Sequence, residues 1–100
     1  MTATATSKNG TVIRLTDERW AHITDEHGEL HGLESEVLAA LADPVRVLKG
    51  AEGELLAVRG LDLGKYVVVV YRELEDDGFV ITAFLTRRIR WMERREQLWP

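Results

Sequence analysis

All three histidines of the chain fall within residues 16–31, T-D-E-R-W-A-H-I-T-D-E-H-G-E-L-H, interleaved with carboxylates. Nowhere else do groups suited to proton transfer lie so close together in sequence. Two chemistries are open to such a stretch: metal ligation, and acid–base catalysis by the side chains alone. At about 100° per residue His27 shares a helical face with Trp20 and Ile23, whereas His22 points nearly opposite, beside Glu18 and Asp25. His27 and His31 are four apart, but Gly28 between them is a natural helix end, so the pair is not held in register. With no cysteine and no H-E-x-x-H pattern, neither a metal site nor a cofactor is expected. Acid–base chemistry is the reading preferred. A histidine at the C-terminal end of a helix is favoured as imidazolium and could protonate a leaving group, with His22 or a carboxylate such as Glu26 as partner or general base. The plainer alternative makes His27 a cap and His22 a solvated surface residue.

A second group lies on the strands. Thr82 is a polar residue inside the apolar run F-V-I-T-A-F-L (Phe79 to Leu85), which fits either simple β-propensity or a hydroxyl presented to a phosphate. Arg72 ends the Val-rich run before it and Arg87 follows it, so both are candidates to approach Thr82 across a hairpin. The planar, permanently charged guanidinium suits a phosphodiester and its transition state. Lys65 and Arg59 are weaker candidates. Arg87 and Arg88 open a basic cluster that continues through Arg90, Arg94 and Arg95. Trp20 reads as core; Trp91 and Trp99 flank the arginines and read equally as stacking platforms, core lid or dimer contact.

The elements that must position these groups follow from pattern. Thr11 to Leu15 is a short branched run with strand character. Thr16 is a good N-cap, with Asp17 and Glu18 in the first helical turn, giving a helix from Asp17 to about His27. Leu33, Val37, Leu38 and Leu41 mark a second helix that Asp43-Pro44 stops. Strands follow over 45–49, 55–59, 65–74 and 79–85, the uninterrupted Val67–Val70 run marking the central one. Asp77-Gly78 is the tight point of the last hairpin turn. Alternation along the final strand puts Phe79, Ile81, Ala83 and Leu85 on one face. The fold class expected is α+β: two N-terminal helices packed on one face of a roughly four-stranded antiparallel sheet, preceded by a short strand.

One hundred residues with 45% hydrophobic and 30% charged content make one soluble domain. Residues 1–10, polar and Thr/Ala-rich, are expected as a disordered lead-in, and 11–100 as the domain. No apolar run is long enough for a bilayer, and no signal-peptide core is present, so a cytoplasmic location without membrane association is expected. The net charge of −4 argues against nucleic acid as a partner for the whole surface, yet it is uneven. Residues 1–58 carry ten acids against five bases, and 59–100 seven acids against eight bases. A local basic patch on an acidic protein is therefore compatible with RNA.

The segment L-T-x-E-R-W-x-H-I-x-x-x-H (Leu15 to His27), a second helix ending in Asp43-Pro44, a Val-rich strand and F-V-I-T-A-F-L-T (Phe79 to Thr86) together resemble the phage-associated barnase–EndoU–colicin–RelE-like nuclease domains (BECR fold). The resemblance spans Thr11 to about Arg88. It implies two helices followed by a four-stranded antiparallel sheet, and a small metal-independent endoribonuclease of toxin or effector type that cleaves RNA, tRNA among the candidates, with a cognate inhibitor protein as partner. By position it implies His27, His22 and Thr82 as catalytic residues; the basic residues Arg72, Arg87 and Arg88 are the candidates for substrate binding. The alternative is a non-catalytic interaction module of the same fold, homodimeric through Trp91, Trp99 and the arginine cluster.

Overall fold

The computed structural model describes residues 2–100; Met1, the first residue of the expected lead-in, lies outside them. A seven-stranded sheet carries helices on both faces. In chain order the elements are β1 (Thr2–Thr6), β2 (Val12–Thr16), α1 (Asp17–Glu26), α2 (Glu34–Ala42), β3 (Arg46–Lys49), β4 (Leu55–Gly60), β5 (Tyr66–Glu73), β6 (Gly78–Thr86), α3 (Arg90–Glu93) and β7 (Gln97–Trp99). The spatial order is β1-β2-β6-β5-β4-β3-β7. All neighbours are antiparallel except β2 and β6, which pair in parallel through Ile13↔Gly78 and Arg14↔Phe79.

This corrects the expected architecture of two helices on a four-stranded antiparallel sheet. The class α+β stands, but the sheet is mixed and has seven strands, with a third helix. Residues 2–6, expected as disordered lead-in, form β1, and the reason is visible in T-A-T-A-T: Ala3 and Ala5 turn inward and the threonines outward. The alternation is regular, but its inward residues are too small to read as an apolar face. Ser7-Lys-Asn-Gly10 closes the hairpin. Gly10 has φ +83° and its N–H donates to the Ser7 carbonyl, the geometry of a three-residue turn that needs a left-handed residue.

Two cores result. On one face α1 and α2 cover Ile13, Leu15, Ile23, Val37, Leu41, Val67, Val69, Tyr71, Val80 and Ala83. On the other, outer face α3 covers Leu48, Leu56, Val58 and Val68 with the fully buried Met92, and Phe84 and Trp91 pack at its margin. The Val67–Val70 run is central, as its double-sided apolarity requires: Val67 and Val69 face the helices, Val68 and Val70 the outer core. Opposite Val70/Tyr71 the register of β6 shifts, Val70 pairing with Thr82 and Tyr71 with Val80. Ile81 is the extra residue of a bulge, so strict alternation fails. Val80, not Ile81, is buried beside Ala83, because a bulge reverses which side chains meet the core. The Ile81 carbonyl accepts from the Arg19 guanidinium at 3.3 Å, which fastens α1 along this edge.

Thr16 caps α1, its Oγ1 accepting from the Arg19 N–H at 3.0 Å, while the C-cap falls on His27 rather than Gly28. Gly78 owes its identity to crowding more than to the turn: a Cβ there would lie 2.4 Å from the Arg72 carbonyl oxygen and 2.7 Å from Ile13 Cδ1. The first hairpin also reaches across the sheet. Ser7 Oγ and Asn9 Nδ2 both donate to Glu73, the latter at 2.8 Å, and Lys8 sits 4.8 Å over the Trp99 ring on the far strand. Among the described residues no helix is long and apolar enough to cross a membrane.

Candidate functional site

Beyond its two paired residues, β6 leaves its β2-side edge to α1 and the single 3-10 turn Gly28–Leu30 that follows it. The chain emerges from α1 at this edge, and that places His27. Its ring lies 6.4 Å from the Phe84 ring, and Phe84 in turn lies 6.1 Å from Trp91. Three rings thus run from the sheet edge onto the outer face. Thr82, Phe84 and Thr86 form one row on that face, with successive members about 6.6 Å apart along the strand. His27 touches the middle of the row. The Thr82 hydroxyl makes no hydrogen bond to another described residue, whereas Thr86 Oγ1 accepts from the Arg88 N–H at 3.1 Å and so shapes the turn bearing Arg87 and Arg88.

His27 Nδ1 stands 3.7 Å from Glu29 Oε2, a residue two positions on that sequence reasoning passed over. The helix ends at His27, and the 3-10 turn Gly28–Leu30 that follows carries Glu29 back beside the histidine. Glu29 is shared with a cleft of about 250 Å³ lined by Lys65, Leu85, Thr86 and Arg87. The cleft continues into a groove of about 620 Å³ between the 3-10 turn, α2 and the loop Gly60–Lys65. That loop is held by Arg87, whose Nη1 donates to the Leu63 carbonyl at 2.8 Å. Leu63 adopts φ +62°, a left-handed conformation unfavourable for a branched side chain, and it is 80% exposed.

The other expected site residues lie elsewhere. His22 is on the solvent side of α1, its Nε2 3.0 Å from Glu26 Oε1, with both side chains more than half exposed. It lines a separate depression with Thr16, Glu18 and Arg19. Arg72 and Arg87 occupy opposite ends of the β5–β6 hairpin, since Arg72 pairs with Phe79 and Thr86 with Tyr66. Arg72 is the diagonal neighbour of Thr82 on the outer face, but its guanidinium donates to the Glu52 carbonyl at 3.3 Å. Arg87 lies five residues beyond Thr82, about 16 Å along an extended strand. Arg88 is exposed at the turn after β6. Trp91 is half-buried against the outer core, and Trp99 is covered by Lys8. The structure therefore brings together His27, Glu29, Lys65 and Arg87, with Thr82 two residues from the His27 contact. It separates His22 and Arg72 from them.

Among the described residues no three His, Asp or Glu side chains converge to hold a metal ion. Compared with protein families, curated proteins and solved structures, the chain matches none, and the functional reading rests on the residues and geometry of this edge.

Proposed function

We propose that the chain is a metal-independent endoribonuclease whose site is the β6 edge around His27. One observation carries the reading: a single imidazole sits against a carboxylate, on a strip of aromatic rings, beside a cleft bearing Lys65 and Arg87. Each part matches a need of RNA transesterification. The rings of Phe84 and Trp91 offer faces on which unpaired bases stack. Lys65 and Arg87 supply the positive charge that the phosphate requires and that its transition state requires more. Glu29 takes the proton from the ribose 2′-hydroxyl as the 2′-oxygen attacks phosphorus. The bond from phosphorus to the 5′-oxygen breaks, and His27 delivers a proton to that leaving oxygen. The products are a 2′,3′-cyclic phosphate and a 5′-hydroxyl. Thr82, with its hydroxyl uncommitted, lies too far along the strand from Arg87 to share that phosphate and serves a neighbouring part of the bound RNA.

The test is cleavage of a fluorescent single-stranded RNA in the presence of EDTA. Expected are cyclic-phosphate ends and a loss of about 100-fold or more in rate for His27→Gln and for Glu29→Gln, the usual weight of a positioned acid or base. His22→Gln stays within a few-fold of the parent. An absence of EDTA-resistant cleavage, or a His27→Gln rate equal to the parent, refutes the proposal.

A further inference from the structure

The two edges of the sheet are unlike. β7 has three residues and is followed at once by Pro100, with Arg94, Arg95 and Glu96 leading into it. Shortness, charge and proline are the ordinary devices that keep an edge from pairing. β1, at the other edge, has none of them: T-A-T-A-T is uncharged, regular and without proline.

The polarity of the open edge follows from the hairpin. The Ser7 N–H donates inward to the Thr11 carbonyl at 2.8 Å. Hydrogen-bonded and non-hydrogen-bonded positions alternate along an antiparallel pair. Ala5, opposite Ile13, and Ala3, opposite Leu15, therefore direct their backbone groups inward to β2. Thr2, Thr4 and Thr6 direct their N–H and C=O groups outward, and all three are exposed. Such an edge is self-complementary. Turned about a two-fold axis through Thr4, it sets Thr2 opposite Thr6 of a second copy and Thr4 opposite Thr4, with every outward donor facing an acceptor. The threonine side chains then form cross-strand pairs on one face, a favoured combination, and no charge on either strand opposes the approach.

We propose that β1 pairs antiparallel with β1 of a second copy of this chain, joining the two sheets through a threonine ladder. This interface is independent of the nuclease reading and uses neither Trp91 nor Trp99. Light scattering on the full chain over a range of concentrations up to the solubility limit should show a concentration-dependent dimer. Thr4→Pro removes an outward N–H while leaving the β1–β2 ladder intact, and is expected to be monomeric with an unchanged circular dichroism spectrum. Because the native chain has no cysteine, Thr4→Cys introduces one thiol, placed opposite its twin at a separation a disulfide spans. Mild oxidation should cross-link it. Val12→Cys, exposed on the same face but one strand inward, should not cross-link. If Thr4→Pro fails to fold, the cross-linking contrast decides. A chain that stays monomeric throughout with no Thr4→Cys link overturns the proposal, as does a dimer that Thr4→Pro leaves intact.

Discussion

Removing the Met92 side chain tests the two-core architecture directly. Met92 is fully buried on the outer face among Leu48, Leu56, Val58 and Val68, the anchor of a helix only four residues long. So short a helix has no stability of its own, so the docking of α3 rests on this side chain and on Trp91. Truncation of a buried methionine to alanine costs about 2–5 kcal/mol through lost transfer energy and the cavity left behind. In a domain of this size each kcal/mol moves the melting temperature by about 4–8 °C. Met92→Ala should therefore lower Tm by at least about 8 °C, taking the smaller figure of each range. Leu98→Ala, at a side chain 45% exposed on β7, should move it by about 4 °C or less. Thermal melts followed by circular dichroism measure both. A Met92→Ala variant melting within about 4 °C of the parent would mean that the outer layer is no core and that the helix face alone stabilises the fold.

Gly78→Ala should destabilise by about 1–3 kcal/mol, the usual range for overpacking, because its Cβ meets the Arg72 carbonyl and Ile13 rather than open solvent; urea titration reads the midpoint, and a neutral outcome would remove the close approach of β2 and β6. Thr16→Ala should cost about 1 kcal/mol through loss of the α1 cap, with Thr16→Ser restoring it in the same titration. Tyr71 is buried, and burial, then the charge of Glu73, raises its phenol above its ordinary value. The native state thus favours the neutral phenol, so its contribution is complete below the unfolded-state pKa of about 10 and is lost as pH rises above it. Tyr71→Phe should consequently retain more of its stability than the parent between about pH 8 and about pH 11, measured as the change in urea midpoint.

What was legible in the sequence, and what was not, divides by the size of the signal each residue carries. Thr16 capping α1, Ile23 buried on its inner side and the Val67–Val70 run at the sheet centre are local statements, decided by a side chain and its near neighbours. β1 was missed because alanine is a weak marker of a buried strand face. The parallel register of β2 with β6 depends on residues 65 positions apart and leaves no trace in either strand alone. The Ile81 bulge moved the buried position to Val80, which alternation could not anticipate. In the site, helical periodicity separated His27 from His22 correctly. Of the two arginines expected near Thr82, Arg72 lies diagonal to it across the hairpin, whereas Arg87, nearer in sequence, is at the far end of the strand. Arg72 and Arg87 flank opposite ends of one hairpin, and only Arg87 reaches the cleft that Glu29 shares.

The pairing of β2 with β6 also orders events in time. The β1–β2 hairpin leaves a ribosome well before its parallel partner, which begins at Gly78, and its anchor Glu73. Until those residues emerge, Ile13 and Leu15 have no sheet to join and α1 lacks the strand it packs on, whereas α2 can already meet β4 and β5. Closing a loop of this length before any reward is slow. Folding of this domain should therefore be completed only after β6 is made, and a chain stopped short of Gly78 should lack the strand that joins the β1–β2 hairpin and α1 to the rest of the sheet.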